Sequence, residues 1–428
     1  MTHLGLYIHI PFCRVKCPYC DFAAYARLEE LIPDYVDALL REMEIWSAPT
    51  EGAEVATVYF GGGTPSLLPL AELERILAGA ARCFSLKPGA EVSLEANPGT
   101  VEVAYLRGLR ALGINRLSLG VQSFHEDELR FLGRDHTVDK ALAAYRDARE
   151  ASFANVNLDL IYGLTGGSLQ RWRANLERAL ALAPEHISLY ALAVEERTPL
   201  HRWVQRGLVA PPDPDMAAAM YELSEGTLAS AGYEHYEISN WARPGFRCRH
   251  NLVYWRNEPY LGLGAGAHSF FPVRAWPSAG PMGGAEGQPS LQAFRFANVA
   301  SPRQYIHRLQ AADMALSPIG EGLPNGPLAS IVAIDRTREM AETAILALRL
   351  VQDGLDEEAF RNRFGTAPQE VWGPQIRELE ALGLLEVWEG PLARVGWVRR
   401  DGHLRLTSRG RLLSNEVFLR LLPDRAGP

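Results

Sequence analysis

The chain has 428 residues, a formal charge of −8 and an apolar share of 47%, which suggests two or three domains with sizeable cores. The acidic balance argues against nucleic acid as a partner, which needs a positive field, and there is no apolar run long enough for a membrane-spanning helix. Three of the five cysteines crowd at the N-terminal end, a pattern that fits a metal site in a reducing compartment better than a disulfide framework. No basic-then-apolar leader precedes the first strand-like run, so the expected location is cytoplasmic.

The first predicted strand covers residues 6–10. Directly after it, Cys13, Cys17 and Cys20 stand in a C-x3-C-x2-C array on a loop made irregular by Pro18. Three thiolates this close can wrap one compact metal centre. A cubane iron–sulfur cluster normally takes one thiolate per iron, so three cysteines leave one iron open for chemistry. Zinc also takes closely spaced cysteines, but a structural zinc site wants four protein ligands, and Cys83 and Cys248 stand alone. The remaining alternative is three unrelated cysteines.

Further predicted strands follow at 57–60, 92–95, 116–119, 156–161 and 186–191. Amphipathic helical patterns cover 31–47, 70–83, 101–112, 138–151 and 169–183. Strand-then-helix units at this rhythm mean βα repeats and a parallel sheet, and eight would suggest a closed barrel. Residues 272–292 are rich in Pro and Gly and read as a long loop, a candidate lid; residues 317–328 read as a linker. The expected domains are 1–240 (βα core), 241–330 (connecting region) and 331–428. In the last, helical patterns at 340–351 and 369–382 precede strand-like runs at 384–389, 395–400 and 404–406, with Asp401-Gly402 as a hairpin signal. That order resembles a winged helix. Residues 340–428 hold 12 Arg, no Lys and 13 Asp or Glu, so no basic face for DNA is expected, and packing or partner docking is the better reading. A winged-helix nucleic-acid regulator with an iron–sulfur sensor would need that face.

In parallel βα folds the working residues sit at the C-terminal ends of strands. Gly61-Gly62-Gly63-Thr64 follows the second strand, where glycines allow close approach to a ligand or merely a tight turn. Glu95 ends the third strand and is either an acceptor for ribose hydroxyls or a solvated acid. Gln122 ends the fourth, and Arg134 follows it. Asp159 lies inside an apolar run, where an unpaired charge costs several kcal/mol, roughly. A polar cavity is therefore expected at Asp159, with Arg134 opposite it.

The cysteine array in its Cys-Pro-Tyr-Cys-Asp-Phe setting resembles the signature of the radical S-adenosylmethionine (SAM) superfamily. That resemblance implies an open (β/α)6 partial barrel, a [4Fe-4S] cluster and SAM chelated by the open iron. Over nearly its whole length the chain also resembles the oxygen-independent coproporphyrinogen III oxidase family. The matching stretches are Tyr-Ile-His-Ile-Pro-Phe-Cys, Phe-Gly-Gly-Gly-Thr-Pro, Gly-Val-Gln-Ser-Phe, Asn-Leu-Asp-Leu-Ile-Tyr-Gly-Leu and Leu-Thr-Ser-Arg-Gly. Matched motif for motif, the SAM contacts fall on Tyr7, Gly62, Gly63, Thr64, Glu95, Gln122, Arg134, Asp159 and Ala193. In the oxidase some of these positions hold a second SAM.

The decarboxylating branch of that family has a further cysteine two residues after the third, where this chain has Phe22, and a longer N-terminal arm. The chain is more similar to the heme-chaperone branch, which carries H-N-x-x-Y-W; here it reads His250-Asn251-Leu252-Val253-Tyr254-Trp255. Imidazole is a good axial ligand for heme iron, and aromatic rings can cover a porphyrin face, so His250 is the candidate heme ligand and His268, in Gly262-Leu-Gly-Ala-Gly-Ala-His268, the alternative. The bland reading of that glycine segment is close packing on the cluster domain. One departure is Leu164-Thr165-Gly166-Gly167-Ser168, where the branch has Leu-Pro-Gly-Gln-Thr. The resemblance implies heme and an acceptor heme protein, for example a respiratory one, as partners. It allows a homodimer and a peripheral position at the membrane. The competing function is a coproporphyrinogen III dehydrogenase.

Overall fold

A computed structural model describes residues 3–273, 291–311, 326–388 and 402–423. Six parallel strands come first: β1 (His3–Ile10), β2 (Glu54–Gly62), β3 (Ser85–Ala96), β4 (Arg116–Gln122), β5 (Val156–Tyr162) and β6 (His186–Ala191). Helices α1 (Ile32–Ser47), α2 (Leu70–Cys83), α3 (Val103–Ala111), α4 (Glu126–Phe131), α5 (Val138–Glu150) and α6 (Leu169–Leu182) lie between them. Strict alternation builds this layer. In β1, Leu4, Leu6, Ile8 and Ile10 are buried; in β4, Leu117, Leu119 and Val121; in β5, Val156, Leu158 and Leu160. These side chains form one core with the apolar faces of α1 to α6, and each leucine or isoleucine so buried stabilises the fold by about 1.5–3 kcal/mol. The intervening positions point into the concave lumen and are mostly polar.

Helix starts follow capping chemistry. Thr137 accepts from the Lys140 N–H and Ser168 from the Arg171 N–H at the heads of α5 and α6. After β6 come α7 (Pro199–Gln205) and α8 (Pro214–Ser230), then two short strands, β7 (Glu234–Glu237) and β8 (Asn240–Ala242), and α9 (Arg249–Trp255).

The segment expected as a connecting region supplies more of the same sheet. β9 (Tyr260–Leu263) pairs in parallel with β1 on the side away from β2, and β10 (His268–Pro272), β11 (Leu291–Asn298) and β12 (Leu328–Asp335) extend it antiparallel. The strand order is β12-β11-β10-β9-β1-β2-β3-β4-β5-β6-β8-β7. The two edge strands do not meet, so the sheet is open. Most of the Pro/Gly-rich stretch and of the expected linker lies outside the described residues, but Pro272 and Leu291 are strand ends rather than loop.

Helix α10 (Pro302–Ala311) packs on α1. The C-terminal unit has α11 (Arg336–Leu348), β13 (Leu355–Asp356), α12 (Glu357–Phe364), α13 (Pro368–Ala381), β14 (Leu385–Trp388), β15 (His403–Leu406), α14 (Ser408–Leu412) and α15 (Ser414–Leu421). Its own core includes Leu348, Phe360, Phe364, Trp372, Leu379, Leu404 and Val417. The expected strand at 395–400 and Asp401 of the expected hairpin turn lie outside the described residues; β14 and β15 pair antiparallel with each other. No helix among the described residues is long and apolar enough to cross a membrane.

Candidate functional site

The lumen-facing positions of the strands converge on a cavity of about 490 Å³ at the C-terminal end of the sheet. Cys13, Cys17 and Cys20 line its mouth, and Arg116, Ser118, Asn157, Asp159 and Ser188 line its interior. The cysteine loop doubles back on itself: Phe12–Cys13 pairs with Tyr25–Ala26 in a two-residue parallel contact, and the Cys20 N–H donates to the Cys17 carbonyl at 3.2 Å. All three thiols are free. Thr64 Oγ1 donates to Cys13 Sγ at 3.5 Å, and Arg134 Nη1 to Cys17 Sγ at 3.4 Å. Burial pushes the Cys13 thiol up and the Cys20 thiol up to about 11. Among the described residues no three His, Cys, Asp or Glu side chains converge as ligands of a single metal ion. All three cysteines line the same cavity.

Gly62 and Gly63 are required by close packing. Gly62 has φ +110, and a Cβ there would sit 2.5 Å from the His9 ring; a Cβ on Gly63 would sit 2.6 Å from the Phe12 carbonyl oxygen. The Gly63 N–H donates to the Ile10 carbonyl, the Thr64 N–H to the Phe12 carbonyl and the Gly62 N–H to Glu95 Oε2. The N–H groups of Gly62, Gly63 and Thr64 are thus used within the chain. Glu95 also accepts from the Tyr59 hydroxyl at 2.8 Å. Burial, then the charge of Asp159, pushes its carboxyl up to about 7. Gln122 holds φ +69, a conformation that costs a non-glycine residue roughly 1–3 kcal/mol and concentrates at functional sites.

The expected opposition of Asp159 and Arg134 does not occur. Asp159 accepts from Ser118 Oγ at 2.9 Å and Asn157 Nδ2 at 2.8 Å, whereas Arg134 donates to Cys17 and to the Gly120 carbonyl. Polar neighbours on its own and the next strand satisfy Asp159, which frees Arg134 to face the cysteine loop.

Gly62, Gly63, Thr64, Glu95, Gln122, Arg134, Asp159 and Ala193 all line the cavity. Tyr7 is absent from that wall. It lies behind Tyr59, with ring centroids 6.3 Å apart, and its hydroxyl meets His9 Nδ1 at 2.9 Å. Arg116, Ser118, Asn157, Ser188, Tyr190 and Asn251 also line it and escaped the reading of strand ends. The signal for most of them was there: a polar residue at every second place of otherwise apolar runs marks a lumen face.

His250 is buried at the start of α9. Its Nδ1 meets Thr57 Oγ1 at 2.8 Å and its Nε2 meets the Tyr254 hydroxyl at 2.9 Å. Its ring stacks on Tyr59 at 5.1 Å, and burial pushes it down to about 3. Both ring nitrogens are therefore engaged, and Asn251, not His250, reaches the cavity. Trp255 does not cover an open face either: the Arg349 guanidinium lies 4.3 Å from its ring centroid. His268 is exposed at the head of β10. The glycine segment before it packs as expected: a Cβ on Gly264 would sit 2.4 Å from the Tyr35 hydroxyl. The departing loop 164–168 contributes no lining residue among those described.

Residues 7–179 match the radical SAM superfamily and residues 334–413 the HemN C-terminal domain. A Mycobacterium tuberculosis protein named heme chaperone HemW is 37% identical over 98% of this chain and 94% of its own. This chain belongs to the HemW family. A HemW relative from Synechocystis is 46% identical over 62% of this chain and 65% of its own length. Among solved structures, the coproporphyrinogen III oxidase HemN of Escherichia coli, described as a radical SAM enzyme, aligns with a TM-score of 0.76 at 23% identity, covering 98% of this chain and 90% of that one; that likeness shows the fold. Radical SAM proteins take a [4Fe-4S] cluster and SAM, and the residues of this HemW family member fit both: three free thiols ring the mouth of a cavity whose wall offers carboxyl, amide and carbonyl groups to a polar ligand.

Proposed function

We propose that the chain is a heme chaperone, which binds heme and passes it to an acceptor heme protein, and that it holds a [4Fe-4S] cluster and SAM. The match to the Mycobacterium tuberculosis heme chaperone, running nearly end to end, carries this reading. Cys13, Cys17 and Cys20 would hold three irons of the cluster. Gly62, Gly63, Thr64, Glu95, Gln122, Arg134, Asp159 and Ala193 would surround SAM, with Tyr7 supporting Tyr59 from behind. The bound cluster supplies one electron to SAM and an iron site that chelates it. The chain's own residues shape the cavity and fix the cysteine loop through Thr64 and Arg134.

The protein acts in the cytoplasm. With a respiratory acceptor, delivery takes place at the inner face of the membrane without insertion, and the cluster regulates transfer or dimerisation. His250 is the proposed axial ligand. Its ring must first leave Thr57 and Tyr254, two hydrogen bonds worth about 1 kcal/mol each. His268 needs no such release.

The test is an anaerobic heme titration, followed at the Soret band, of wild type, His250→Ala and His268→Ala, with transfer to an apo heme protein. Wild type is expected to bind and release heme, and His250→Ala to lose the Soret shift. An unchanged band in His250→Ala with a lost band in His268→Ala moves the ligand to His268. In the same preparations Cys17→Ser should lose cluster iron; full retention refutes the ligand set. Formation of protoporphyrinogen from coproporphyrinogen with SAM and a reductant would replace the chaperone reading by the dehydrogenase one.

A further inference from the structure

Arg116 opens β4 and is only 2% exposed. Its guanidinium makes no hydrogen bond and no ion pair with any described residue, and its Nε is fully enclosed without a partner. Glu91, Glu95 and Asp159 hold it charged through space, but none of them meets it in a hydrogen bond. The side chain lines the cavity. Directly across the strand pair stands Ser93, whose Oγ is likewise buried and unpartnered. The nearby acids are already served by other donors. Glu91 accepts the N–H groups of Arg249 and His250, each at 3.1 Å. Asp159 accepts from Ser118 and Asn157, and Glu95 from Tyr59 and the Gly62 N–H.

From this arrangement we infer that the interior of the cavity is a carboxylate subsite, with Arg116 as its cation, and that it takes a propionate group of a tetrapyrrole. A single guanidinium offers a planar fork that matches a carboxylate. One guanidinium balances the single negative charge of a carboxylate, whereas a phosphate dianion carries two. Tyr59 and Tyr190, which also line the cavity, present rings to a flat apolar body. The choice of a tetrapyrrole rests on the heme-chaperone reading. The same chemistry exists in the methionine carboxylate of SAM, and the test separates the two.

The full-length protein, reconstituted without oxygen, is titrated with iron protoporphyrin IX and with its dimethyl ester in one detergent buffer, followed at the Soret band, and with SAM by equilibrium dialysis. Wild type is expected to bind the free acid about tenfold or more tighter than the ester. The ratio should fall toward one in Arg116→Met and recover in part in Arg116→Lys, with SAM affinity equal in all three. Equal affinity of acid and ester in wild type overturns the subsite without recourse to any variant. Weakened SAM binding in Arg116→Met with the porphyrin ratio unchanged assigns the carboxylate to SAM and also overturns it. Absence of any porphyrin binding by wild type removes the heme-chaperone reading and the subsite with it; binding without discrimination removes the subsite alone.

Discussion

His9 shows how tightly the cavity mouth is built. Its Nε2 meets the Ala23 carbonyl at 3.0 Å and so ties β1 to the far end of the cysteine loop, while its ring fills the space above Gly62. Gly62→Ala places a methyl group inside that ring at a backbone angle that an alanine resists. The expected result is a loss of about 1–3 kcal/mol of stability and a lower iron content after reconstitution, measured by denaturant unfolding and metal analysis. A variant as stable as wild type with full iron would show that the loop does not depend on this contact. The role of Gly62 was legible in the sequence as a close approach; that the His9 ring packs against it, while Gly62 also lines the cavity, was not.

Helix α1 carries Glu42 on its buried face. The carboxylate accepts from the Gly264 N–H at 2.8 Å, Asn298 Nδ2 at 2.7 Å and the Tyr305 hydroxyl at 2.5 Å. It therefore joins α1, the turn after β9, the end of β11 and α10. Burial pushes the Glu42 carboxyl up to about 7, against the three donors. Because the folded protein holds this proton more tightly than the unfolded chain, the stability it confers is full below the ordinary carboxylate range and is lost as pH rises through about 7. The loss runs at about 1.4 kcal/mol for each pH unit across that window. Glu95 adds a slope of the same sign. Glu42→Gln should flatten the fall in unfolding free energy between about pH 4.5 and 7 and leave the Glu95 share; denaturant unfolding across that range checks it, and an unchanged slope would remove Glu42 as its source. The 3.6-residue period of α1 was plain from the sequence. That one of its buried places is an acid clamped by residues more than 200 positions away was not, because no local pattern encodes such a contact.

At the scale of the whole molecule, the helix bearing the H-N-x-x-Y-W motif is one of the contacts between the sheet and the C-terminal unit, beside Arg295–Glu342 and the Glu237–Leu350 bridge. Trp255 lies under Arg349, Asn257 Nδ2 donates to Thr343 Oγ1 at 2.9 Å, and Arg363 donates to the Asn257 carbonyl and to Glu339. One end of α9 thus holds His250 beside the lumen and the other holds the C-terminal unit. Trp255→Ala should cost about 2–4 kcal/mol and raise hydrogen exchange across Arg336–Leu348, without changing the cluster's iron content. Exchange confined to α9 itself would mean that the tryptophan does not dock the unit.

The sequence by itself determined the local periodicities and the chemical inventory. Alternation set the parallel strands, a 3.6-residue period set the helices that cover them, and the spacing of Cys13, Cys17 and Cys20 marked a candidate metal centre, since each depends on neighbours along the chain. Only the tertiary structure decided which groups face one another: β9 beside β1, Arg134 on the cysteine loop rather than on Asp159, His250 sealed behind Tyr59, and Arg116 on the cavity wall with its Nε unpartnered. Those relations depend on the curvature of the sheet and on contacts between segments far apart in the chain, and neither is carried by any run of neighbouring residues.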